Sequence, residues 1–297
     1  MNLLSAEKRA QVIMMLVEGM SMRAIARVAD VSFNTVAKLL RDAGEACAAY
    51  HDEHLRGVRG RRHIQCDEIW TFTYAKEANV PAAKAPPEHA GDTWTFTAID
   101  TDSKLLVSYL VGPRDGQSAL ELMDDLRARL EERPQISTDG LAAYREAVDG
   151  AFGGDVDFAQ IIKTYGTEPG VESARRYSPA TCTGIDKQAV WGVPDMAKAN
   201  TSHVERHNLS MRMGMRRFTR LTNAFSKRIE KHVAMVHLYA VHYNFCRVHK
   251  TLRVTPAMEA RIETTMRDAA WIVRLIDARA PKPNRPKNYK PRKKISK

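Results

Sequence analysis

Three acidic residues stand where a carboxylate is not expected to be idle. Asp67 lies inside a hydrophobic stretch, IQCDEIW, and Asp139 closes another, ISTDGLAAY, where Gly140 lets the chain turn sharply. Glu205 belongs to a polar helical stretch, NTSHVERHNLSMR, and the three acids are 72 and 66 residues apart. A carboxylate in an apolar strand costs free energy unless something pairs with it. Three carboxylates drawn to one point raise one another's pKa unless a cation neutralises them. Oxygen ligands of that kind suit Mg2+ or Mn2+. Two such ions about 4 Å apart activate an attacking oxygen and stabilise the leaving oxygen of a phosphodiester. Other titratable residues fit less well. Glu68 follows Asp67 and points to the opposite face of a strand, which leaves it outside the cluster. Asp100 and Asp102 flank a turn, and Asp195 is an alternative third acid in a Pro-rich context. His203 and His207, four residues apart, have the spacing of a transition-metal pair; contacts to a ligand or to solvent are the other reading.

Such acids act together only if the chain positions them. His63 to Tyr74 reads as a strand rich in Ile, Trp, Thr and Phe, with Trp70, and Trp94 further on, expected in the core. Residues 75–92 are rich in Ala and Pro and read as a loop insertion. TWTFTAID over 93–100 predicts a second strand, Asp102-Ser103 a turn, and Lys104 to Val111 a third strand. Ser118 to Leu130 places Leu120, Leu122, Met123, Leu126 and Leu130 at amphipathic helical spacing. Gln135 to Thr138 reads as a short strand, Leu141 to Val148 as a helix and Phe158 to Tyr165 as another strand. Gly166 to Ala199 reads as an irregular insertion. Residues 201–247 are strongly helical with a break near Leu221-Thr222-Asn223, and Pro256 starts a further helix.

A three-strand meander followed by helix, strand, helix, strand and long helices is the order of the ribonuclease-H-like fold, although other α/β arrangements use the same elements. In such a sheet the first and fourth strands are neighbours. The end of the fourth then lies beside the middle of the first, and a helix over that edge brings in the third acid. The expected fold class is α/β: a ribonuclease-H-like mixed sheet with flanking helices, preceded by a small all-α helix-turn-helix domain.

That first domain is read from residues 5–45. Ala6 to Glu18 carries Val12, Ile13 and Leu16 at helical spacing. Ser21 caps a short helix holding Ile25, Ala26 and Val28. Ser32 caps a third through Thr35, Val36, Leu39 and Leu40, which Gly44 is expected to end. The segment SMRAIARVADVSFNTVAKLLRDAG resembles the helix-turn-helix of DNA-binding proteins. The resemblance turns Ala26, Val31 and Val36 inward and Phe33, Asn34, Lys38 and Arg41 towards DNA. Three-helix units also serve as protein adaptors. The following linker is basic through Arg56, Arg59, Arg61 and Arg62, and either tracks phosphates or is solvated.

Composition agrees with a polyanionic partner. The 297 residues hold 46 Lys and Arg against 35 Asp and Glu, a net charge of +11. Eight of those positive charges fall between Pro281 and Lys297, which contain no acid; such a run also serves as a solvated tail. A hydrophobic content of 44% supports a packed core. No run of about 18 apolar residues predicts a membrane span, and the first residues do not read as a secretory leader. Cys47, Cys66, Cys182 and Cys246 are far apart and read as free structural thiols in a reducing compartment.

DEIW at Asp67 to Trp70, TDGLAAY at Thr138 to Tyr144 and HVERHNLSMR at His203 to Arg212 are similar to the motifs of DDE transposases of bacterial insertion sequences, of the insertion-sequence-one type. The similarity runs from about residue 20 to 262. It implies that Asp67, Asp139 and Glu205 are the catalytic and metal-binding triad, serving two Mg2+ with Mn2+ able to substitute. Arg212 matches a basic residue seven positions after the glutamate. Two helical turns put Glu205, Asn208 and Arg212 on one face, so Arg212 is implied to hold a DNA phosphate. Arg206, Asn208, Arg212 and Arg216, within a basic run that includes Arg217 and Arg220, are implied DNA contacts. The implied partners are double-stranded DNA, both terminal inverted repeats and target, and further copies of the chain in a synaptic homo-oligomer; no membrane is involved. The implied activity is strand cleavage followed by strand transfer. The alternatives are a nuclease of the same fold without strand transfer, or a domesticated DNA-binding regulator with an inactive core. The expected organisation is a helix-turn-helix domain at 1–46, a basic linker at 47–62, a catalytic domain at 63–262 with insertions at about 75–92 and 166–199, a C-terminal helix at 263–280 and a basic disordered tail at 281–297. The implied location is the bacterial cytoplasm, on the nucleoid when DNA is bound.

Overall fold

Serine side chains start the first three helices. In the computed structural model, which describes residues 3–166, 182–219 and 222–280, α1 spans Ala6–Val17, α2 Met22–Val28 and α3 Phe33–His54. Ser5, Ser21 and Ser32 accept from the backbone N–H three residues on, at 3.0–3.2 Å. Val36, Leu39 and Leu40 are buried against Ile13, Leu16 and Ile25. Gly44 does not end the third helix, contrary to expectation, and residues 47–54 are helix rather than linker. The glycine serves a close approach instead. A Cβ there would meet the Cα, Cβ and O of Ala234 at 2.6–2.7 Å, and Ala234 belongs to α7 (Ile229–Val241). Arg9 forms a two-bond ion pair with Asp277, at 2.6 and 2.9 Å, which ties α1 to α9 (Ala269–Arg279). One apolar core therefore runs from Val12 and Leu40 through Ile64, Phe96 and Leu122 to Tyr239 and Ile272.

The sheet has six strands in the order β3-β2-β1-β4-β5-β6. They are β1 His63–Thr73, β2 Gly91–Asp100, β3 Leu106–Gly112, β4 Gln135–Asp139, β5 Asp157–Tyr165 and β6 Cys182–Trp191. β1, β2 and β3 form the antiparallel meander, and β4 and β5 run parallel to β1. That is the mixed arrangement expected. β6 is an addition. It pairs antiparallel with β5 inside the stretch read as irregular insertion; with neither face buried it shows no burial period in the sequence. Residues 167–181 of that insertion, Arg220 and the 281–297 tail lie outside the described residues.

Helices cover both faces. α4 (Gly116–Arg129) and α5 (Ala143–Phe152) lie together on one, where Tyr144 of α5 meets the ring of Phe96 edge-on. α6 (Ser202–Gly214) crosses β1 on the other, where Gln65 accepts from the N–H groups of His203 and Val204 at 2.8 and 3.1 Å. The long helical stretch is broken, as expected: α6 ends at Gly214 and α7 starts at Ile229, with Thr222 and Asn223 between them and Leu221 outside the described residues. α8 (Pro256–Glu259) begins at its proline with Thr255 as cap. No described helix is long and apolar enough to cross a membrane.

Candidate active site

The last registered pair between β1 and β4 is Cys66 opposite Thr138. The next residues, Asp67 and Asp139, therefore leave the ladder side by side. β4 stops there while β1 continues to Thr73, so the β1 edge is open beyond Cys66. Asp67 accepts from the Asn208 side chain at 2.8 Å, which couples β1 to α6. Asp139 accepts from the Leu141 N–H at 3.0 Å. Glu205, in the first turn of α6, lies across the same cleft, where it accepts from the Thr201 hydroxyl at 2.6 Å and pairs with Lys163 of β5. The cleft encloses about 820 Å³ and is lined by Asp67, Glu68, Arg114, Asp139, Lys163, Glu205, Asn208 and Arg212 among others.

Glu68 corrects the sequence reading. Its backbone position does face away from Asp67, yet its carboxylate comes close to those of Asp67 and Asp139. One oxygen from each of Asp67, Glu68 and Asp139 lies within 4.8 Å of the others. Glu205 does not belong to that tight group. The Glu68 side chain is 2% exposed, against 36% for Asp139 and 47% for Glu205. Burial, then the charge of Asp139, raises the pKa of both Asp67 and Glu68 well above the usual carboxylate range. Arg114 partly relieves the repulsion, with its guanidinium 3.3 Å from Glu68 and 3.8 Å from Asp139. Burial pulls the Lys163 pKa down, but its bond to Glu205 outweighs that and raises it.

Other assignments sort in the same way. Asp195 is outside the cleft and accepts from the Ala197 N–H at 3.0 Å. Asp100 is buried as a turn acceptor for Ser103, at 2.5 and 3.1 Å. His207 is buried edge-on against Tyr239 and Tyr243, whereas His203 contacts Lys104, so the two histidines make no metal pair. Asn208 is buried at Asp67, Arg212 lines the cleft, and Arg206 and Arg216 are exposed. Arg217 turns inward to Ser226 at 2.7 Å and Met22 at 3.4 Å. Phe33, Asn34, Lys38 and Arg41 are all exposed on α3, Lys38 pairing with Asp42. Arg56, Arg59, Arg61 and Arg62 are each paired with an acid, Asp52, Glu131, Asp157 and Asp100 in turn, so the linker is pinned to its neighbours. Trp70 is half-buried outside the main apolar core, whereas Trp94 is half-buried and packed against it. Arg114 and Lys163 escaped the sequence reading. A lone basic residue before a helix or at a strand end has no pattern of its own, and its role appears only when the cleft is assembled.

No protein-family model and no curated protein matches the chain. Among solved structures it is similar to the Mos1 transposase paired-end complex with left transposon end, at 14% identity over 53% of this chain and 60% of that chain, with a TM-score of 0.24. It is also similar to the piggyBac transposase synaptic complex with hairpin DNA, at 8% identity over 91% and 69%, with a TM-score of 0.44. A Mos1 mariner paired-end complex with Mn matches at 14% identity over 52% and 58%, with a TM-score of 0.22. The chain thus spans about 60% of the length of the Mos1 transposase it matches.

Proposed function

We propose that the chain is an insertion-sequence transposase of the DDE type, which cuts DNA strands at the element ends and joins the freed ends to target DNA. The observation that carries the reading is the exit of Asp67 and Asp139 side by side from parallel strands, facing Glu205 across one cleft. The donor set fits divalent cations. It consists of hard carboxylate oxygens, three of them within 4.8 Å of one another, and burial, then the charge of Asp139, raises the pKa of Asp67 and Glu68, a cost that a cation would relieve. Asp67, Asp139 and Glu205 would hold two Mg2+ or Mn2+, which when bound activate the attacking oxygen and stabilise the leaving one. Glu68 stands close enough to support that set.

The protein's own residues position the rest. Asn208 fixes the Asp67 carboxylate, and the Leu141 N–H fixes Asp139. Arg212 and Lys163 line the cleft where a scissile phosphate would lie. The exposed α3 face of Phe33, Asn34, Lys38 and Arg41 would read terminal repeats in the major groove, with Arg206 and Arg216 on the backbone. Joining two ends calls for at least two copies of the chain.

The test is cleavage and joining of labelled duplexes carrying the sequences that flank the gene, with Mn2+ or Mg2+. Asp67→Asn, Asp139→Asn and Glu205→Gln are each expected to abolish both steps while DNA binding persists. Cleavage without joining would favour the nuclease. Metal-independent binding with no cleavage in wild type would favour the regulator.

A further inference from the structure

A row of aromatic rings leads away from the carboxylates along one face of the sheet. Arg114, bonded to Glu68, lies over the ring of Trp94 at 4.9 Å. Trp94 is the cross-strand partner of Trp70, which shares the Glu68 face of β1. Trp70 lies 5.8 Å from Phe72, and Phe72 lies 4.6 Å from Phe225. Two ammonium groups cap the row. Lys76 stands 5.8 Å over Trp70, and Lys227 stands 4.3 Å from Phe225 and 5.2 Å from Tyr74.

These rings do not fill the interior. Trp70, Phe72, Tyr74 and Phe225 are half-buried and are not packed against the main apolar core, unlike Trp94. They are nonetheless held firmly. Ser226 bridges to Thr73, accepts from the Tyr74 N–H at 2.8 Å and takes a 2.7 Å bond from Arg217. Four residues of strand, about 13 Å, separate Glu68 from Phe72, so the row starts beside the cleft at Arg114 and Glu68 and runs away from it along β1. Cations alternating with ring faces are the means by which proteins hold unpaired nucleic acid. Bases stack on the rings whatever their identity, and the ammonium groups meet the phosphates.

We propose that Trp70, Phe72 and Phe225, with Lys76 and Lys227, form a stacking track for unpaired nucleotides of a DNA strand whose scissile phosphate lies at the carboxylates. The proposal rests on the DNA-cutting reading of that cleft, but it concerns binding and is tested without catalysis.

The experiment measures binding of the full chain to a fluorescein-labelled mixed-sequence single-stranded oligodeoxynucleotide and to the same strand annealed as a blunt duplex. Phe72→Leu with Phe225→Leu keeps apolar volume and removes the rings. It is expected to weaken single-strand binding roughly ten-fold or more and to leave duplex binding within about two-fold. Lys227→Gln is expected to lower the salt slope on the single strand by about 0.7. Where the leucine variant fails to fold, quenching of tryptophan emission by the single strand, lost in Trp70→Phe, reads the same contact. Unchanged single-strand affinity, or equal weakening of both probes, overturns the track. Wild type that binds the duplex but not the single strand overturns the track alone. Wild type that binds neither overturns the functional reading with it.

Discussion

Replacing Asp67 by Asn is expected to make the metal-free protein more stable. Asp67, Glu68 and Asp139 place one oxygen each within 4.8 Å of the others. Two full like charges at that distance repel by about 3.5 kcal/mol at an effective dielectric constant of about 20. Asp139 is 36% exposed, and solvent screening of that degree brings the figure to roughly half. The amide keeps the shape of the carboxylate but disturbs the 2.8 Å bond from Asn208, a loss of about 0.5–1.5 kcal/mol. The net gain is about 1 kcal/mol, or roughly 2–4 °C in Tm for a domain of this size. The assay is thermal unfolding in chelator, then with Mn2+ added. Wild type is expected to gain stability with Mn2+, by about 2.7 kcal/mol at a hundred times Kd, and Asp67→Asn to lose most of that gain. A variant less stable than wild type in chelator, together with wild type that ignores millimolar Mn2+, would refute the view that these acids are held in mutual repulsion for a cation.

Further outcomes follow from packing and charge. Gly44→Ala puts a Cβ within 2.6 Å of Ala234 backbone and forces α3 off α7, at a cost of about 1–3 kcal/mol; urea unfolding checks it, and an unchanged midpoint would sink the close-packing account. His51 and His232 are kept neutral by burial, which pushes both pKa values down to about 3 from 6.5. The unfolded chain protonates them below about pH 6.5 while the folded one does not, so stability is full above that pH and falls between 6.5 and 3. At pH 5.5 each costs about 1.4 kcal/mol, and equal urea midpoints at pH 7.5 and 5.5 would count against it. Lys38→Ala and Arg41→Ala, both on the exposed face of α3, are each expected to reduce the salt slope of duplex binding by about one. A pair of unchanged slopes would remove α3 from the DNA interface.

Two of the acids that line the cleft were legible because each broke a local rule. Asp67 interrupts an apolar strand, and Asp139 ends one before a glycine. The break after α6 and the serine caps at α2 and α3 were legible because capping and periodicity are local. Gly44 was misread because a glycine at a helix end and a glycine under a crossing helix look alike in one dimension. β6 was missed because an edge strand that buries neither face has no period to show.

What the sequence determined by itself was the order of the elements other than β6 and the three acid-bearing segments, since both follow from side-chain type and spacing within a few residues. Tertiary structure alone decided that Glu68 joins Asp67 and Asp139, that Lys163 holds Glu205, that Arg217 turns inward and that Trp70 and Phe72 lie outside the core. Each depends on where a neighbouring strand stops or which helix crosses above, and those distances are set by contacts between residues far apart along the chain.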